Sequence, residues 1–211
     1  MVERLRPFLK KYNLLFGIIG SILVMLSSLL ILLIGTGNLR AEFNFLLHMV
    51  FPNTLGKIFI LLWCANYWFT TEYDRNINVF ARNLFFLTLV SMIITFFDYE
   101  MYLFFLVQSV TSLFLTILMC LLVAQRRFAI RSKKYAARLY IVNVFLYLCV
   151  AVFLFNITTS FENQYVFLLI FTMITQIFMI IAMVAVRIVE RRFMEALESS
   201  KDDLSTGEFS D

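Results

Sequence analysis

The most regular feature of this 211-residue chain is an alternation of long apolar runs with short polar segments. Six apolar runs occupy about residues 14–35, 55–71, 84–97, 101–124, 139–156 and 165–186. A helix needs roughly 20 apolar residues to cross the hydrocarbon core of a bilayer. The runs 14–35, 101–124 and 165–186 reach that length without a charged residue. The pattern predicts an all-α, polytopic integral membrane protein with six transmembrane helices.

The remaining runs are shorter or have polar residues at their ends. For run 84–97 we expect the helix to begin near Val79 and to include Arg82, because a long basic side chain can extend to the membrane surface. Run 55–71 fits a membrane span least well, since Lys57 lies at its outer end. Pro7 and Pro52 precede the first and second runs, so we expect no span to contain an interior proline.

Composition strengthens the membrane assignment, and we place the protein in the plasma (inner) membrane. Hydrophobic residues make up 62% of the chain and charged residues 15%, and a soluble domain of this size could not bury so many apolar side chains. We divide the chain into a basic N-terminus (1–13), a six-helix bundle (14–194) and an acidic, disordered tail (195–211).

The distribution of basic residues predicts the orientation of the chain. Only Arg40 and Lys57 fall on one side of the predicted membrane, and the other 16 of the 18 basic residues fall on the opposite side. Positively charged segments stay in the cytosol, so we expect both termini to be cytosolic. The net charge of +4 is therefore an orientation signal and does not indicate nucleic-acid binding.

Neutral polar residues inside the predicted spans follow helical spacing and form a candidate polar intramembrane face. The face comprises Gln108, Thr111, Ser112 and Thr116 of the fourth span, Asn143 of the fifth, and Thr172, Thr175 and Gln176 of the sixth. These groups can join helices through hydrogen bonds, each contributing about 0.6 kcal/mol on average. Alternatively, they line a narrow cavity between the fourth and sixth spans that holds a small neutral or amphiphilic ligand.

Small residues on one face of the first span predict a close helix–helix contact. Gly17, Gly20, Ser21, Val24 and Ser28 share this face. Small residues four positions apart let two helix backbones approach each other. The sequence leaves open whether the partner is another span of this chain or a second protein.

The segment between the fourth and fifth spans is strongly basic and contains aromatic residues. Such a segment can contact anionic lipid head groups, at roughly 1 kcal/mol per basic residue, or dock a soluble partner. The candidate contact residues are Arg126, Arg127, Arg131, Lys133 and Lys134. An orientation signal alone explains the same charges.

Catalytic chemistry has little support in this sequence. We identify no catalytic residue, metal site or cofactor, and Cys64, Cys120 and Cys149 fall inside spans, where we expect buried free thiols. The leading hypothesis is a non-catalytic membrane subunit that contacts partner membrane proteins, or further copies of itself, within a transport, envelope-assembly or signalling complex. The alternative is a small transporter or channel with its path between the fourth and sixth spans. An intramembrane enzyme ranks third.

Overall fold

The computed structural model describes residues 2–34, 51–69, 74–97, 102–158 and 165–206. These residues form helices that we number in chain order as α1 (Val2–Ile34), α2 (Phe51–Phe69), α3 (Arg75–Phe97), α4 (Tyr102–Ala129), α5 (Lys133–Thr158) and α6 (Tyr165–Thr206). The prediction of an all-helical chain is confirmed over this part of the sequence. Arg40 and the acidic residues of the predicted outer segments 37–54, 98–100 and 159–164 fall largely outside the described residues.

Five of these helices are long and apolar enough to cross a membrane. By length and composition, the candidate spanning segments are Pro7–Leu33, Arg75–Ile94, Leu106–Ala129, Lys133–Phe155 and Val166–Ser200. The uncharged part of the last segment ends at Val186. The outward faces of these helices carry large apolar side chains, including Leu33, Phe155 and Phe167. Exposed apolar surface on this scale is consistent with a helical protein embedded in lipid. α2 is the described helix that lies outside this set.

The first and last helices extend well beyond the apolar runs that predicted them. α1 begins at Val2 and contains Pro7, and α6 continues to Thr206, through much of the segment predicted to be disordered. Met194, Ala196 and Leu197 are strong helix formers. Arg191 Nε lies 2.8 Å from Glu195 Oε1 one turn further along α6, a pairing that stabilises a helix surface.

α2 packs antiparallel against α1 through small residues. A Cβ atom added to Gly20 of α1 would lie only 3.0 Å from the backbone oxygen of Gly56 in α2. Nearer the start of α1, Asn13 Nδ2 donates a hydrogen bond of 2.9 Å to the Tyr67 hydroxyl in α2. Later α2 residues therefore meet earlier α1 residues, and the small-residue face of α1 is occupied by a helix of the same chain.

The position of Lys57 differs from the sequence prediction. α2 begins at Phe51, so Lys57 lies within the helix, and its side chain is only 2% exposed. Its Nζ atom donates a hydrogen bond of 3.4 Å to the backbone oxygen of Ser91 in α3. A lysine is tolerated here because α2 faces protein on most sides, where backbone oxygens can accept its hydrogen bonds.

Candidate functional site

The structure buries every member of the candidate polar intramembrane face. The stripes on α4 and α6 approach each other where Thr116 Oγ1 lies 4.0 Å from Met179 Sδ. The thiol of Cys149 in α5 contacts the Thr175 hydroxyl in α6, which brings a third helix to the same layer. The buried residues are Gln108, Thr111, Ser112, Thr116, Asn143, Thr172, Thr175 and Gln176.

The threonine hydroxyls of this face hydrogen-bond within their own helices. Thr111 and Thr116 of α4 each donate to the carbonyl four residues earlier, at 2.7 Å. Thr172 and Thr175 of α6 do the same at 2.8 and 2.9 Å. Backbone carbonyls of the same helix therefore satisfy these donors. The contacts that Thr116 and Thr175 make with sulfur atoms of neighbouring helices come in addition to these bonds.

The amide side chains of the face are buried differently. Gln176 is 0% exposed, and neither its Oε1 nor its Nε2 atom has a hydrogen-bond partner among the described residues. Gln108 Oε1 and Asn143 Oδ1 also lack a partner in this part of the chain. An unsatisfied buried amide costs roughly 1–3 kcal/mol. A bound water molecule or a polar ligand would remove that cost.

The basic segment predicted to contact lipid or a partner separates into three environments. Arg126 Nε lies 2.8 Å from Glu190 Oε1 of α6. The Arg127 guanidinium lies over the rings of Phe128 and Tyr140, at 4.5 and 5.3 Å from their centroids. The remaining members, Arg131, Lys133 and Lys134, are exposed. The sequence predicts one group of five cations, whereas in the structure one of them, Arg126, pairs with a residue of α6.

Arg126 lines an open cavity of about 390 Å³ bordered by α1, α2, α4 and α6. We call it the basic-end cavity, since it lies at the end of the bundle where α1 begins and α4 ends. Its volume is within the range of small-molecule pockets, roughly 300–1,000 Å³. It is lined by Lys10, Lys11, Asn13, Leu14, Leu15, Ile18, Trp63, Asn66, Tyr67, Met119, Leu122, Arg126, Met183, Val186, Arg187 and Glu190.

Charged and apolar groups occupy different parts of this lining. The charged residues are four cations and one carboxylate, on α1, α4 and α6. The apolar part includes Trp63, Met119 and Met183, which are 1%, 2% and 5% exposed. Trp63 and Met183 pack against Gly17, where an added Cβ would lie 2.9 Å from the indole and 2.6 Å from the sulfur. The cavity is thus amphiphilic, with a basic rim above a packed apolar floor.

Sequence reasoning missed this cavity because its residues come from four helices. Lys10 and Lys11 read as orientation charges, and Trp63 as an ordinary residue of the second run. Asn13 and Asn66 were the available signal, since Asn13 precedes the first apolar run and Asn66 lies near the end of the second. Only the antiparallel packing of α2 on α1 shows that these amides lie close to the same basic side chains.

The fold and its exposed apolar faces are consistent with a helical membrane protein, and five helices among the described residues are long and apolar enough to span the bilayer. No protein family, curated protein or solved structure matches this chain. All three cysteines are free and buried, as predicted. Within the described residues, no three His, Cys, Asp or Glu side chains cluster as metal ligands would.

Proposed function

We propose that this protein is a non-catalytic, multi-pass subunit of a transport, envelope-assembly or signalling complex in the plasma membrane. In this proposal both termini are cytosolic, and the protein acts through helix–helix contacts with its partner. The observation that carries the proposal is the length of α6. This helix continues far beyond the apolar segment that crosses the membrane and offers a partner an ordered helix outside the lipid.

The dimensions of α6 support a projecting helix. Its 42 residues correspond to about 63 Å at 1.5 Å per residue, roughly twice the 30 Å thickness of the hydrocarbon core. Arg187, Arg191 and Arg192 follow the apolar segment and are exposed, as expected for basic side chains at the membrane surface. The part of α6 beyond them extends past the lipid.

The projecting part of α6 presents apolar side chains on a charged helix. Met194 and Leu197 are 54% and 39% exposed, and the i, i+3 spacing puts them on adjoining positions of one face. Glu195 and Glu198 flank them and are also exposed. An amphipathic helix of this kind is recognised by laying its apolar face into a groove of another protein.

The proposal is tested by mild-detergent purification of the full chain followed by mass spectrometry. We expect a stoichiometric membrane-protein partner that is lost when Met194 and Leu197 are both changed to Ser. The matched control is Ser199→Ala, an exposed position on the same projecting helix. The Ser199→Ala protein should retain the partner, and thermal unfolding of the bundle should be the same for both variants. Recovery of the full chain without any partner, or full binding by the double variant, would contradict the proposal.

A second candidate function, a small transporter or channel, is favoured by the amides between α4 and α6. Gln176 and Gln108 lie in the bundle interior with amide atoms that have no partner among the described residues. In this alternative, a small neutral or amphiphilic ligand passes between the two helices and supplies the missing hydrogen bonds. If the two glutamines have only a structural role, bound water molecules form hydrogen bonds with the same amide atoms.

Substitution of both glutamines separates these explanations. If the amides have only a structural role, Gln108→Leu and Gln176→Leu should each change the free energy of unfolding by about 1 kcal/mol or less, because the apolar residue also removes the desolvation penalty. If they line a ligand path, flux in reconstituted vesicles should be abolished while stability stays the same. Ile174→Leu, at an exposed position of α6, serves as the control.

A further inference from the structure

We propose that the basic-end cavity is a binding site for an anionic phospholipid, with the phosphate at its rim and an acyl chain against its floor. This site is independent of the proposed partner contact on α6 and could exist in a protein of any of the function classes above. The charge of the rim, the apolar floor and the position of the cavity relative to the candidate spans all favour such a lipid.

The charge of the rim selects an anion. Lys10, Lys11, Arg126 and Arg187 contribute four cations to the lining, against the single carboxylate of Glu190. Glu190 Oε1 accepts a charge-assisted hydrogen bond of 2.8 Å from Arg126 Nε. This pair is close to neutral, so the net positive charge of the lining comes from the other cations. The exposed side chains of Lys11 and Arg187 come from two different helices and can approach a phosphate from two sides.

The floor selects a molecule that also has an apolar part. Below the rim the lining is mostly apolar and includes Leu14, Ile18, Leu122 and Val186 together with the buried Trp63, Met119 and Met183. The buried amide of Asn66 is the polar group beside them. A free phosphate ion would gain nothing from the apolar groups, because apolar surface contributes to affinity only when it is covered by other apolar surface. An acyl chain would cover them.

The position of the cavity places it at the height of lipid head groups. Its lining lies toward one end of the candidate spans Pro7–Leu33 and Leu106–Ala129. On α6 it lies where the uncharged part of the helix ends, at Val186 and Arg187. Basic pockets between spanning helices at the membrane surface are a recurring form of head-group recognition. Asn13, whose Nδ2 donates to the Tyr67 hydroxyl at 2.9 Å, lies in the same wall and gives the head group neutral polar neighbours.

Lipid binding can be measured by native mass spectrometry on the purified full chain, without any partner protein. We expect dioleoyl-phosphatidylglycerol to bind at least tenfold more tightly than dioleoyl-phosphatidylcholine. The double variant Lys11→Gln/Arg187→Gln should lose about tenfold or more in phosphatidylglycerol affinity, because each basic residue near an anionic lipid contributes roughly 1 kcal/mol. Inorganic phosphate should not displace the lipid.

Two further variants distinguish a cavity from general surface attraction. Lys133→Gln/Lys134→Gln removes two exposed cations at the same end of the bundle, outside the cavity, and should leave the affinity within twofold of the original. Val186→Phe fills the floor without changing charge and should weaken binding; Leu14→Phe makes the same test from α1 if the first variant does not fold.

Three results would overturn the proposal. Equal binding of the two lipids would show that the rim does not select an anion. An equal loss in the Lys133/Lys134 variant would show that attraction is spread over the surface. Displacement by inorganic phosphate, or unchanged binding in both cavity-filling variants, would show that the acyl chain is not held in the cavity.

Discussion

At the scale of single residues, two glycines set the distance between α1 and α2. A Cβ atom at position 56 would lie 3.0 Å from the backbone oxygen of Gly20, 3.0 Å from Leu23 Cβ and 3.1 Å from Val24 Cγ2. A backbone oxygen cannot move aside as the end of a flexible side chain can. The contact therefore depends on the absence of side chains at both positions, and helix–helix packing in membranes depends strongly on such close approach.

We expect Gly56→Ala to destabilise the bundle by about 1–2 kcal/mol. Overpacking of this kind costs typically 1–3 kcal/mol, and the higher helix propensity of Ala offsets up to about 1 kcal/mol of it. Thermal unfolding in detergent measures the difference. Val144→Ile, which adds one carbon at a position of α5 that is 39% exposed, should have almost no effect. A Gly56→Ala protein as stable as the original would show that the helices are further apart.

At the scale of elements, the contact between α4 and α6 combines a buried polar layer with an ion pair. Arg126 and Glu190 join the two helices, and their side chains are 33% and 28% exposed. Arg191 and Glu195 form a pair of the same 2.8 Å length within α6, but these side chains are 81% and 57% exposed. The two ion pairs therefore have the same length but differ in exposure to solvent. The less exposed pair is expected to contribute more to stability, because solvent screens it less.

Double-mutant cycles should rank these two ion pairs. Replacing Arg126 and Glu190 singly and together by Gln should reveal a coupling free energy of about 1 kcal/mol, because partial burial limits screening by salt. The Arg191–Glu195 pair should show about 0.3–0.5 kcal/mol, as exposed pairs one turn apart do, and should weaken further at high salt. A larger coupling for the exposed pair would be inconsistent with the packing of α4 on α6.

The sequence predicts some features of these helices and misses others, because each feature depends on a different physical property. Apolar runs located the helices, because lipid requires apolar side chains and satisfied backbone groups. The apolar runs could not locate the end of α6. Beyond the last run, the helix continues because Met194 has a high helix propensity and Glu195 pairs with Arg191. The 3.6-residue period placed Gln108 and Gln176 on polar stripes, whereas the basic-end cavity depends on contacts between distant helices.

At the scale of the whole molecule, the arrangement of helices bears on the number of membrane crossings. Lys10 of α1, Tyr67 of α2, Arg126 of α4 and Arg187 of α6 all line one cavity. The start of α1 and the end of α2 therefore lie at the same end of the bundle. This arrangement supports the proposal that α2 crosses the membrane, which would make six crossings and place both termini on one side.

Cysteine labelling in intact cells tests that topology. Single cysteines at Lys10, Arg131 and Ser200, which are exposed positions, should react only from the cytosolic side, because basic segments are retained there. Cysteines at positions 40, 99 and 161, which lie outside the described residues, should react only from the opposite side. Labelling of positions 10 and 200 from opposite sides would mean that one helix does not cross.

The sheltered position of α2 also has a consequence for how the chain enters the membrane. Its 19 residues include Asn53, Lys57 and Asn66, and charged or amide side chains make the transfer of an isolated helix into lipid unfavourable. α1 carries the glycines that receive α2 and is synthesised first. If α2 crosses the membrane, its insertion thus requires α1 to remain beside it, and substitutions on the glycine face of α1 would reduce the amount of inserted protein as well as its stability.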